Sequence, residues 1–223
     1  MSILGAFLKK KEQPLGVVRV FSGSVVAKRL SVNDADEYMY EDNRHRIDCC
    51  PTCHNTLSKI PNKDAEISIK RWDIACTYDG YIVVSDKFRL FCKHRHYPDL
   101  TFSPLPKSNG LYFFEPKGIF ELDYEQYGTK YINKRDCCGT YDEIIGPPVI
   151  KSKDFLVNKS NDFIMKAKYY FGSYEKKGVV IIVGTETANI MKAAGLKGIY
   201  FHDIYDYEGL IITEKLINGN VLG

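Results

Sequence analysis

Long hydrophobic runs are missing from this chain of 223 residues, since no apolar stretch approaches the roughly 18 residues that a membrane helix needs. Its first residues, MSILGAFLKKKEQP, place basic charge after a short apolar run, which is the reverse of a secretory signal. Net charge is also small, with 31 basic against 28 acidic residues, so no strong basic surface is expected. The sequence therefore predicts a cytoplasmic protein without a membrane or nucleic-acid partner.

Recognisable catalytic motifs are lacking as well. GxSxG, HExxH, Walker A and GxGxxG are all absent, which removes the usual signatures of serine hydrolases, zinc proteases and nucleotide-binding enzymes. Gly184-Thr185 lies between a strand pattern and a helix pattern, but one glycine is a poor phosphate cradle. We therefore predict a protein that is not an enzyme and has no small-molecule substrate.

The remaining composition is that of a folded protein, with 44% hydrophobic and 26% charged residues. We predict a single domain over residues 1–223 with an α+β fold, in which a few short helices accompany a mixed, mostly antiparallel sheet. Helices are expected from Ser85 to a stop at Pro98, over 161–171, and over 185–194. Strands are expected at 16–21, 24–27, 66–71, 81–84, 111–114, 118–122, 179–183, 199–204 and 210–213, with a loop at 31–48 and a loop or edge segment at 101–108.

Seven cysteines are present, and in a reducing compartment their clusters indicate a metal before a disulfide. Cys50-Pro-Thr-Cys53 is a CxxC turn that brings two thiolates to one ion. The best second half is Cys137-Cys138, followed by a glycine suited to a sharp turn. The sequence therefore predicts a structural zinc ion on Cys50, Cys53, Cys137 and Cys138. The site would form a small inserted zinc-ribbon-like knuckle from about 45–62 and 132–142.

The second half departs from a regular CxxC pair because Arg135 stands where its first cysteine would be. The fourth ligand is therefore open among Cys137, Cys49, a histidine and water. A rival set combines Cys92 with His94 or His96, which could share one face of a helix. The cysteines could also be packed thiols without a metal, or reactive thiols of an enzyme.

The order of these elements resembles the double-CXXCG-motif proteins and related immunity proteins of bacterial polymorphic toxin systems. The resemblance spans about residues 45–206. It rests on the CPxC knuckle, on Ile-Val-Val-Ser-x-x-Phe at 82–88, on Cys138-Gly139, and on the unit VVIIVGTETANIMKAAGLKGIYFHDI. His54 stands where the family has glycine, and Arg135 departs from the second half of its pattern.

The resemblance implies a cytosolic, non-enzymatic protein that binds and neutralises one cognate toxin domain, with zinc in a small insert. Tyrosines interleaved with carboxylates offer rigid anchors and steering charge for such a partner. The residues expected to bind the toxin are Tyr200, Asp203, Tyr205, Asp206, Tyr207 and Glu208. The alternative is a metal- or thiol-dependent enzyme that uses the Cys/His cluster.

Overall fold

The computed structural model describes residues 16–21, 24–41, 46–122, 124, 129–146, 160–205 and 210–215. Within them the chain forms twelve strands and two α-helices. The strands are β1 Gly16–Phe21, β2 Val25–Asp34, β3 Ile74–Cys76, β4 Ile82–Ser85, β5 Leu100–Pro104, β6 Leu111–Pro116, β7 Lys130–Lys134, β8 Tyr141–Ile145, β9 Ile164–Ser173, β10 Gly178–Val183, β11 Ile199–Tyr205 and β12 Leu210–Lys215. The helices are α1 Asp86–His94 and α2 Thr185–Ala193.

Most strands belong to one ten-stranded sheet with the order β5-β6-β4-β3-β2-β10-β9-β8-β7, in which β11 also pairs with β2. Its pairings are antiparallel except for the parallel contact of β2 with β3. β1 and β12 form a separate antiparallel pair. The mixed, mostly antiparallel sheet is thus confirmed, while the chain is richer in strands than we expected. The single-domain boundary stays a prediction.

Both helices cover the same apolar cluster of the sheet. Ser85 begins α1, because its hydroxyl accepts a hydrogen bond from the Phe88 amide at 3.3 Å and so satisfies a free N–H of the first turn. The shared cluster holds Leu30, Ile82, Val84 and Phe114 from the sheet, Phe88 and Cys92 from α1, and Ala188 and Met191 from α2. These two helix predictions are confirmed. Neither described helix is long and apolar enough to cross a membrane.

The helix predicted over 161–171 is wrong, because strand β9 occupies Ile164–Ser173. β9 pairs with β10 on one side and with β8 on the other. Its run of tyrosine and phenylalanine suits a pleated sheet, and its apolar spacing fits either period. The long-range pairing therefore decides the conformation, which local spacing could not reveal.

Several strand boundaries also differ from the sequence prediction. Residues 66–71 alternate between buried and exposed as expected, but they pair with no strand, and the Ile67 amide donates to the Ser108 hydroxyl at 2.8 Å instead. Residues 118–122 form only isolated bridges. The loop predicted to begin at residue 31 begins after Asp34, since β2 continues to that residue.

The segment predicted as a loop or edge at 101–108 includes most of β5, which stands at one end of the sheet order.

Candidate metal centre

Two turns that are distant in sequence have the same backbone pattern. In the first turn, the Cys50 amide donates to the Asn55 carbonyl at 2.8 Å, and the His54 amide donates back to Cys50 at 2.9 Å. In the second turn, the Arg135 amide donates to Thr140 at 2.7 Å, and the Gly139 amide donates back to Arg135 at 2.7 Å. The structure therefore contains two equivalent knuckles, Cys50–Asn55 and Arg135–Thr140.

Each knuckle has a left-handed residue at the same position. His54 has φ 58° and Gly139 has φ 70°. This conformation is favourable for glycine and is uncommon for other residues. The histidine therefore adopts the backbone that the glycine of a CxxCG motif would take, and the departure at residue 54 does not disrupt the turn.

The knuckles bring together the thiols of Cys50, Cys53, Cys137 and Cys138, whose sulfur atoms all lie within 4.8 Å of one another. Sγ of Cys50 lies 3.8 Å from Sγ of Cys137, and Sγ of Cys53 lies 3.6 Å from Sγ of Cys138. Tetrahedral zinc with bonds of about 2.3 Å needs sulfur–sulfur separations of about 3.8 Å. The four thiols thus fit a zinc ion.

Cys137 supplies the fourth sulfur of the site, since Arg135 stands at the position where a regular CxxC pair would have its first cysteine. Arg135 occupies the second knuckle at the position equivalent to Cys50, and its guanidinium pairs with Asp142 at 2.6 Å, where it also lies near Cys53. β7 and β8 flank this knuckle, so the strand pair fixes the turn that presents Cys137 and Cys138. The two halves of the site therefore have the same backbone but different sulfur positions.

The local groups favour thiolate at two of the four cysteines. Backbone amides of Cys53 and Thr52 lower the pKa of Cys50 to about 6. Burial acts to raise the pKa of Cys138, but hydrogen bonds from the Thr140 hydroxyl and amide lower it below its ordinary value. By contrast, hydrogen bonding to Cys53 raises the pKa of Cys137 to about 12. A metal binding at all four sulfurs would therefore release protons.

A buried polar network supports the two knuckles from behind. Nδ2 of Asn55 lies 3.4 Å from Sγ of Cys53 and donates to Asp142 at 2.8 Å. Lys177, at 2% exposure, donates to Oδ1 of Asn55 at 2.8 Å. Arg135 also donates to Oδ1 of Asp142, at 2.8 Å, and Asn133 donates to Oδ2, at 2.6 Å. The network joins both knuckles to the residue before β10.

The first knuckle is also anchored at its base. Thr56 donates through its hydroxyl to the Tyr174 carbonyl at 3.0 Å, and Arg46 donates to the Glu175 carbonyl at 2.6 Å. Both carbonyls belong to a 3-10 turn at Tyr174–Lys176 between β9 and β10. This turn therefore holds the knuckle against the sheet.

The rival ligands are not assembled by the structure. Cys92 is buried in the core between the sheet and α1, where burial raises the pKa of its thiol to about 12. Cys49 is close to Asp48 rather than to the four sulfurs. Among the described residues, one group of three or more cysteine, histidine or carboxylate side chains could hold a metal ion, and it consists of Cys50, Cys53, Cys137 and Cys138. The set including Cys92 with His94 or His96 is therefore not supported.

Three of the six residues predicted to bind a toxin lie on a strand of the described structure. Tyr200, Asp203 and Tyr205 belong to β11, and Asp206, Tyr207 and Glu208 lie outside the described residues. Tyr200 is 53% exposed, whereas Asp203 forms an ion pair with Lys28. Since side chains alternate along a strand, Tyr200 and Asp203 face opposite sides of the sheet. They therefore do not form one continuous stripe.

Sequence reasoning missed the residues that support the thiols. Asn55 is the last residue of the first knuckle, so its proximity to the thiols was available from the sequence. Lys177 gave no comparable signal, because it is 122 positions from Asn55 and is one of many lysines. Only the fold brings its ammonium group to the knuckles.

Compared with protein-family models and with curated proteins, this sequence matches none. The class that the fold and the site define is therefore a sheet-rich protein with two helices and a cluster of four cysteines that could bind a metal ion.

Proposed function

We propose that this protein is a non-enzymatic immunity protein of the cytosol that binds and neutralises one cognate toxin domain. In this proposal Cys50, Cys53, Cys137 and Cys138 hold a structural zinc ion. The observation that carries the zinc site is the closed set of four thiols, while the toxin-binding role rests on the resemblance of the sequence to immunity proteins. A metal ligated by four protein groups has no open position for a substrate, which is typical of structural zinc.

Two features support the immunity assignment. The backbone of His54 has the left-handed conformation that the family glycine would take, and the second knuckle ends in Cys138-Gly139 as the resemblance requires. The cytosol fits a cluster of four free thiols, since a reducing compartment keeps thiols available to a metal.

The exposed side of β11 is the proposed contact with the toxin. Tyr200 offers a large side chain that is 53% exposed, and its hydroxyl reaches Asn33 at 3.3 Å, which holds the ring in place. A rigid aromatic of this kind is a frequent anchor of protein interfaces. Asp203 faces the opposite side of the strand and pairs with Lys28, so Tyr200 is the residue of β11 on which this contact depends.

A thiol-dependent enzyme remains the second candidate because of one observation. The pKa of Cys50 is lowered to about 6, and a lowered pKa is one property of reactive thiols, although Cys50 itself is buried. Replacing Cys50 with serine separates the two functions. A structural site loses zinc and stability, whereas a catalytic thiol loses turnover while the fold survives.

The test is co-purification with the product of the neighbouring gene, which this proposal expects to be the toxin-domain protein. We expect a stoichiometric complex that abolishes the toxicity of the partner. Tyr200→Ala should weaken the complex about tenfold, as loss of an interface anchor does, while Leu90→Ala at an exposed site on α1 should not. Absence of a complex would contradict the proposed function. A complex that Tyr200→Ala binds with unchanged affinity would contradict the proposed contact surface on β11.

A further inference from the structure

We propose that Lys177 is a positioning residue of the metal centre, which orients Asn55 against the sulfur of Cys53 and places positive charge beside the four thiolates. This inference rests on the proposed zinc site.

The first argument is the orientation of the Asn55 amide. An ammonium group can only donate hydrogen bonds, so the contact of Nζ of Lys177 with Oδ1 of Asn55 at 2.8 Å fixes which end of the amide faces the lysine. The NH2 end must then face Cys53 and Asp142, which lie 3.4 Å and 2.8 Å away. Lys177 thereby turns a donor toward a ligand sulfur.

The second argument is the balance of charge. A zinc ion with four thiolates has a net negative charge, and burial of a charge is costly unless an opposite charge lies nearby. Arg135 is paired with Asp142 and also lies near Cys53, whereas Lys177 forms no ion pair with a carboxylate within the described part of the chain. Its ammonium group lies near Cys53 and Cys138, so it adds a second positive charge that helps to balance the thiolates.

The third argument is the position of Lys177 between the two knuckles. Its ammonium group donates to the side chain of Asn55 in the first knuckle and to the carbonyl of Tyr141, directly after the second. Lys177 itself precedes β10 and is 2% exposed. Burial lowers the pKa of this lysine, while the nearby Asp142, Cys138 and Cys53 act to raise it. One side chain thus ties both halves of the site to the sheet.

The experiment compares the zinc affinity of the full-length protein with that of Lys177→Met by competition with a chromogenic chelator. Loss of a residue that orients a metal ligand typically weakens binding about 10–100-fold, and we expect that loss here. Lys176→Met removes the adjacent, exposed lysine and should bind zinc like the wild type.

Unfolding of the zinc-free and zinc-loaded forms separates positioning from simple packing. The stabilisation that zinc adds should be smaller in Lys177→Met than in the wild type. Equal losses of stability in both forms, with unchanged zinc affinity, would overturn the inference and leave the proposed metal site intact. Wild-type protein that holds no zinc would overturn both.

Asn55→Asp provides a second variant that does not depend on removing the buried lysine. It keeps an oxygen for Lys177 but replaces the donor that faces Cys53 with a carboxylate oxygen. We expect zinc binding to weaken about 10–100-fold. A zinc affinity equal to that of the wild type in this variant would overturn the proposal that Lys177 acts on Cys53 through Asn55.

Discussion

At the scale of single residues, the most unusual feature is a group of charges buried behind the first knuckle. Arg46 binds Asp48 at 3.0 Å and donates to the hydroxyl of Tyr81 at 3.0 Å. Asp79 accepts from the amides of Met39 and Tyr40, and Lys59 donates to the Asp79 carbonyl at 2.7 Å. Because these buried groups are bonded to one another, removal of one partner would leave an unpaired charge.

Lys59 gives this network a measurable dependence on pH. Burial lowers the pKa of Lys59 to about 8 from an ordinary value of 10.5, so between these values the unfolded chain holds a proton that the folded protein has released. The free energy of unfolding therefore gains a contribution that rises from pH 8 to 10.5 and is absent below pH 8. Its size is at most on the order of 3 kcal/mol.

The measurement is chemical denaturation of the zinc-loaded protein across this pH range, with Lys59→Met beside the wild type. Other groups titrate in both proteins, so the difference between the two isolates the lysine. We expect the rising contribution to be missing in Lys59→Met and retained in Lys63→Met, where an exposed lysine is removed. Parallel pH profiles of Lys59→Met and the wild type would contradict this account.

At the scale of elements, the two knuckles are alike in backbone and different in sulfur position. Arg135 and Cys50 begin turns with the same hydrogen bonds, so a cysteine at 135 would occupy the position of the first ligand of a regular CxxC pair. The site instead uses Cys137, next to Cys138. The two turns share one backbone geometry, so the position of the cysteine within the second turn decides which sulfur completes the set.

This equivalence predicts a rescue. Cys137→Ser should lose most zinc affinity because three thiols remain, and adding Arg135→Cys should restore it by supplying a sulfur from the equivalent position. The same change also removes the ion pair of Asp142 with Arg135, although Asn55 and Asn133 still bond this carboxylate, so partial restoration is expected. Zinc content after dialysis measures it. If the double variant binds zinc no better than Cys137→Ser, the two knuckles are not equivalent as ligand turns.

The elements also show where sequence reasoning succeeds and fails. The α1 prediction rested on Ser85 as a cap and on apolar spacing, which are local signals, and it is confirmed. The helix prediction over 161–171 is wrong because the conformation of β9 depends on its pairing with β8 and β10. The short β3, Ile74–Cys76, carries too few residues for any periodic signal.

At the scale of the whole molecule, the site is built from segments 85 positions apart, as for Cys53 and Cys138. The sequence predicted all four thiols, because a CxxC turn and a Cys-Gly turn each have a recognisable local form. It could not predict the arrangement behind them. Lys177 and the 3-10 turn at Tyr174–Lys176 reach the knuckles only because β9 and β10 pair.

The most direct test of the central claim is the zinc content of the purified full-length protein, measured together with zinc-edge X-ray absorption. The account predicts about one zinc ion per chain, with four sulfur neighbours at about 2.3 Å and loss of the ion in Cys138→Ser. Protein purified under reducing conditions without zinc, or zinc with nitrogen and oxygen neighbours in place of sulfur, would contradict it.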